Sequence, residues 1–108
     1  MQKNVWYRST PGSRIEDRGT VTVEGGTFSF AGRKGTVAGR VLWAGTRSAG
    51  FNNWVKATYE ADGQSHDAFF LVKDMLGWAG MLGGNKELRE ALEAAAQENS
   101  TGGDRAGG

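Results

Sequence analysis

One histidine and no cysteine occur in the 108-residue chain, which leaves few residues from which a catalytic or metal centre could be built. His66 stands beside Asp67, and a nucleophilic triad would need a serine brought to it from elsewhere in the fold. A lone histidine near a strand end reads first as a partly exposed structural residue. Without thiolates a metal site would have to be made of carboxylates, and Asp62, Asp67 and Asp74 lack the loop spacing that gathers oxygen ligands round a cation. Glu16 and Asp17 are adjacent, while Glu87, Glu90 and Glu93 follow a helical surface. Acids so placed stay solvated and ionised, so no acid/base dyad is suggested. The expectation is a protein that binds rather than catalyses, with no cofactor and no metal.

The more informative pattern is cationic. Residues 1 to 56 hold nine Lys/Arg against three Asp/Glu, a balance of +6, and residues 57 to 108 hold four against nine, a balance of −5. Such a split can mark an anionic partner for the basic half, provided that folding gathers the cations on one surface. Arg33, Lys34, Arg40 and Arg47 are the candidate ligand-binding residues, expected to meet on one rim and to offer phosphate donors. Gly32-Arg33-Lys34-Gly35 also matches the GxxG clamp of KH domains in spelling, but it joins two strands here, where a glycine turn with solvated cations is the simpler reading. Of the four tryptophans, Trp43 and Trp78 lie in apolar context and are expected in the core, with Trp6 and Trp54 less obviously inward. A surface for stacking nucleic-acid bases would need two exposed rings near the Arg33 rim.

The elements that must position these residues are mostly strands. Eighteen glycines against one proline point to tight turns rather than a helical bundle. Thr20–Val23 and Phe28–Phe30 alternate at period two around Gly25-Gly26, which predicts a hairpin with Val23 facing Phe28 and Val21 facing Phe30. Asp62-Gly63 predicts a second hairpin between Asn53–Glu60 and Ser65–Val72, with Val55 opposite Phe70, Ala57 opposite Ala68 and His66 opposite Tyr59. Thr36–Trp43 reads as a further strand or two, with Gly39 at a bulge or bend, and Val5–Ser9 as an N-terminal one. Asp74-Met75-Leu76 suits a short helical turn. Asn85 is placed to cap a helix over Lys86–Gln97, whose Leu88, Ala91, Leu92, Ala95 and Ala96 form one apolar stripe. That stripe needs a sheet, and the second hairpin, apolar on both sides through Trp54, Phe69 and Leu71, is its expected seat.

In order and spacing these stretches resemble the pleckstrin-homology-like superfold in its bacterial, GRAM-like form. The likeness rests on Arg18-Gly19-Thr20-Val21-Thr22-Val23 with Thr27-Phe28-Ser29-Phe30, on Asn53-Trp54-Val55-Lys56-Ala57-Thr58-Tyr59, on Ala68-Phe69-Phe70-Leu71, and on Gly77–Gly84 leading to Leu88 and Ala91-Leu92. It implies a bent antiparallel barrel plugged by a C-terminal helix, and a role in lipid, peptide or protein recognition. The basic clamp that phosphoinositide-binding members carry in an early hairpin loop has no counterpart in the bare Gly25-Gly26 turn.

The fold expected is thus mainly β with a C-terminal α-helix, a PH-like bent antiparallel barrel or sandwich capped by one helix. A single domain over residues 1–98 and a mobile polar tail over 99–108 follow from chain length and from the tail's lack of apolar residues. No signal-like apolar stretch opens the chain, and a bacterial cytoplasmic location is expected. The expected role is a non-catalytic binding or scaffold domain for a protein, a peptide or an anionic membrane surface, with a nucleic-acid-binding β-barrel as the alternative.

Overall fold

The computed structural model describes residues 1–11, 14–49, 52–73 and 83–107. Among these residues six strands, β1 (Gln2–Arg8), β2 (Asp17–Glu24), β3 (Thr27–Gly32), β4 (Thr36–Ala49), β5 (Asn52–Ala61) and β6 (Gln64–Val72), precede one helix, α1 (Gly84–Gly107). Each strand pairs antiparallel with the next, and β1 returns to pair with β6, so the sheet closes into a barrel. The expected mainly β architecture with one C-terminal helix is therefore present, as a barrel rather than a sandwich.

Local turn chemistry sets the two hairpins. Gly25 and Gly26 have φ of 53° and 84°, and Asp62 and Gly63 have φ of 55° and 75°. Two consecutive positive φ values are what a two-residue type I′ turn requires. The ladders follow as anticipated: Val23 pairs with Phe28 and Val21 with Phe30, while Val55 pairs with Phe70, Ala57 with Ala68 and Tyr59 with His66. Period-two alternation then sends one set of side chains inward. Val5, Val21, Phe28, Phe30, Val55 and Phe70 belong to one buried cluster, which Tyr7 joins as a partly buried member. The rings mesh, with Tyr7 stacked on Phe30 at 4.9 Å and Phe28 edge-on to Tyr59 at 4.9 Å.

Strand β4 departs from expectation. The register shift in its pairing with β5 lies between Val41 and Trp43, not at Gly39. Gly39 sits in the regular ladder opposite Phe28, at a place where a Cβ would collide with the Tyr59 ring and the Glu60 carbonyl. Leu42 is the extra residue, and it reverses the alternation beyond it. Val41 and Ala44 are buried while Trp43 is 50% exposed, which corrects its assignment to the core. Its ring lies over Gly45, where a side chain would strike it. Trp78 and the expected turn at Asp74-Met75-Leu76 lie outside the described residues.

The helix is seated differently too. Leu88, Leu92 and Ala95 join the cluster inside the barrel, whereas Trp54, Phe69 and Leu71 form a separate buried cluster with Trp6 packed against it. The amphipathic stripe thus completes the barrel core instead of covering the outer side of the second hairpin. Nor is Asn85 the cap. The helix begins at Gly84, two residues before the expected Lys86, with the Glu87 amide donating to the Gly83 carbonyl. Asn85 instead accepts from the Val72 amide at 2.8 Å and donates to the Asn53 carbonyl at 2.9 Å, tying the start of α1 to β5 and β6. Beyond Gln97 the helix runs on into the segment read from sequence as a tail. There the Asn99 amide donates to the Gly26 and Val41 carbonyls at 2.7 and 2.8 Å.

Candidate anion-binding surface

The four cations singled out from the sequence do not meet. Arg33 and Lys34 occupy the β3–β4 turn at one end of that ladder, and Arg40 stands at the other end opposite Thr27. Arg40 is also engaged, its guanidinium 3.3 Å from the Glu60 carboxylate. Arg47 lies seven residues further along β4, roughly 23 Å of extended strand, beside Trp54 on β5. The rim expected from sequence thus reduces to Arg33 and Lys34.

Their turn is held by an internal anion. The Asp17 carboxylate accepts from the amides of Arg18 at 2.8 Å, Arg33 at 3.1 Å and Lys34 at 2.9 Å. Desolvation pushes its pKa up, but the backbone donors of Lys34, Arg18, Arg33 and Gly35 outweigh it and hold the group below its ordinary value. Gly32 makes the approach possible, because a Cβ there would overlap the Asp17 oxygen. The amides that a KH-type clamp would offer to a phosphate are therefore already taken, which removes that reading. The Arg33 and Lys34 side chains remain outward on a braced loop.

Two residues missed from sequence join Arg33. Strand alternation turns Arg18 outward, since Val21 and Val23 of β2 point into the core, and Lys73 follows the inward Val72. Arg18 is the cross-strand neighbour of Trp6, and the Arg33 amide donates to the Arg18 carbonyl. Together Arg18, Arg33 and Lys73 wall a groove of about 530 Å³ whose remaining lining is Asn4, Gly19, Thr20, Ala31 and Gly32. Among the described residues no carboxylate lines it. Among the described residues none of the three cations forms an ion pair within 4 Å, in contrast to Lys3, Arg40, Lys56 and Arg89. The period-two pattern of β2 could have indicated Arg18, but nothing in local sequence brings Lys73 beside it; the closure of β1 onto β6 does that.

A second hollow of about 340 Å³ adjoins the first and shares Arg18 and Arg33, with Trp6, Ile15, Glu16, Asp17 and Lys34 completing it. Lys73 Nζ lies 5.6 Å from the Trp6 ring, and Ile15 is 50% exposed. The acids here are engaged: Asp17 by the turn amides, and Glu16 by the Ser9 hydroxyl.

His66 is exposed and stacks on Tyr59 at 5.4 Å. Its neighbour Asp67 accepts from the Thr58 hydroxyl at 2.8 Å and lies 3.9 Å from Lys56, so the carboxylate serves β5 rather than the imidazole. Among the described residues no three His, Asp or Glu side chains cluster in a way that could hold a metal ion, and no described helix is long and apolar enough to cross a membrane. The chain matches no protein-family model, no curated protein and no solved structure.

Proposed function

We propose that this protein is a non-catalytic binding domain whose partner is anionic, engaged through the outer side of β1, β2 and β3. The observation that carries the reading is the groove walled by Arg18, Arg33 and Lys73, three cations without a carboxylate partner among the described residues, around a floor of small residues. Like charges held together repel unless something neutralises them, and Asp17, the acid beside Arg18 in sequence, is already held by the turn amides. A guanidinium pair with an ammonium suits carboxylate and phosphate oxygens alike. Recognition without catalysis is also what the PH-like resemblance implies. The partner classes it implies, a protein, a peptide or an anionic membrane surface, can each present anions to a cationic groove.

The test is titration calorimetry at low salt with polyglutamate, phosphatidylserine vesicles and polydeoxythymidine. At least one should bind, weaken steeply towards physiological salt, and lose most of its affinity in the Arg18→Glu/Arg33→Glu protein. Arg40→Glu/Arg47→Glu should bind as the wild type does. Silence from all three polyanions, or indifference to the first charge reversal, would sink the proposal.

A further inference from the structure

Resting on that reading, we propose that the polyanion is single-stranded nucleic acid, with a phosphate in the Arg18–Arg33–Lys73 groove and a base against Trp6 in the adjoining hollow. Three features of the molecule separate this partner from the other anions.

The groove has no free strand edge. Strand β2 is paired with both β1 and β3, and β3 with both β2 and β4, so an extended peptide lying there has no row of free backbone groups to which it could add as a strand. A ligand held here is held by its charge rather than by strand addition, and a phosphodiester carries that charge in its own backbone, spaced along the chain.

The cations also face a concavity. The floor is Gly19, Thr20, Ala31 and Gly32, and the walls are the arginines on one side and Lys73 on the other. From Lys73 at the end of β6 to Arg33 after β3 the groove crosses three inter-strand spacings, roughly 14 Å. A single polynucleotide strand can lie in such a trough, whereas a bilayer surface would meet only its rim.

The third feature is the ring. Trp6 and Arg18 are direct cross-strand neighbours, so their Cα atoms stand about 5 Å apart. That places an aromatic plane one nucleotide's reach from the phosphate donors, with Arg18 and Arg33 shared between the two hollows. Ile15 supplies an exposed apolar side chain to the same hollow. Base stacking on such a platform tolerates any sequence, because every base has a π-face.

Fluorescence anisotropy with labelled polydeoxythymidine, compared with labelled polyglutamate and with phosphatidylserine vesicle sedimentation, tests the assignment on the full chain. Polydeoxythymidine should bind at least about tenfold more tightly than either, with a log–log salt slope of about −2, the value for three phosphate contacts on a single strand. Trp6→Leu should weaken the oligonucleotide severalfold and leave polyglutamate unchanged, while Trp6→Phe, which keeps a ring, should retain most of the affinity. Urea midpoints of both variants confirm that the outer cluster with Trp54 and Leu71 survives. If polyglutamate or the vesicles bind as tightly, with the Arg18→Glu/Arg33→Glu protein still defective, the anion groove stands and the nucleic-acid assignment is overturned. An oligonucleotide affinity that Trp6→Leu leaves unchanged overturns it as well. If nothing binds, both readings fall.

Discussion

At the scale of single residues, two ionisable groups link the fold to pH. Asp17 titrates below its ordinary value because four amides solvate the carboxylate. Its stabilisation is present above the unfolded pKa and disappears as pH falls through the depressed folded value. Tyr7 behaves oppositely. Burial, then the charges of Tyr59 and Glu16, push its phenol up from 10.0 to about 12. Between those values the folded chain keeps a proton that the unfolded chain has lost, so the stabilisation is complete below pH 10 and declines as pH rises through 12. Urea midpoints measured against pH should therefore show an acid limb that Asp17→Asn flattens and an alkaline limb that Tyr7→Phe reduces. An acid limb unchanged in Asp17→Asn would mean that the Gly32–Gly35 turn does not depend on its carboxylate. Trp43 shows why residue-scale reading of sequence has limits. Val41, Trp43 and Gly45 alternate in a way that would place Trp43 inward, and only the extra residue Leu42 turns it out.

At the scale of elements, α1 is both core and clamp. Leu92 is fully buried among the barrel's inward residues, so Leu92→Ala should cost about 2 to 5 kcal/mol. Asn99 bridges the β2–β3 turn and β4 with one amide, and Asn99→Ala, which leaves the Val41 carbonyl without that donor, should cost about 1 to 3 kcal/mol. Both are read as shifts in urea midpoint. A silent Asn99→Ala would show that the last part of the helix does not secure the turn. The two hairpins were legible because turn residues and period-two pattern fix register within about twenty positions. The seat of the helix was not: the second hairpin is apolar on both sides, and the choice between them depends on which side the barrel encloses. Asn85 looked like a cap because Asn suits that position, yet its amide was claimed by two strands that only the fold brings near.

At the scale of the whole molecule, closure is the decisive event. Strand β1 pairs with β2 and with β6, some sixty residues away in sequence, and so removes both edges of the sheet. Deleting residues 2–8 should expose β2 and β6 as open edges, abolish cooperative unfolding and promote association, followed by size-exclusion chromatography and denaturant titration. A truncated chain that stays monomeric and unfolds cooperatively would show that β1 is peripheral. Closure also builds the candidate site, since Arg18, Arg33 and Lys73 come from three separate segments and the β1–β6 seam sets Lys73 beside the others. The basic balance of the first 56 residues signalled an anionic partner but not which cations would share a surface; Arg40 and Arg47 were carried elsewhere by the length of β4, and Lys73 came from the acidic half. By itself the sequence determined the turns, the registers of both hairpins, the apolar stripe of the helix and the absence of thiol chemistry, all of which depend on residues close together along the chain. Tertiary structure alone decided the closed seam, the side of the sheet that the helix fills, the outward turn of Trp43 and the company of Arg33. Those depend on strand tilt, stagger and one bulge summed around six strands, and no local window contains that sum.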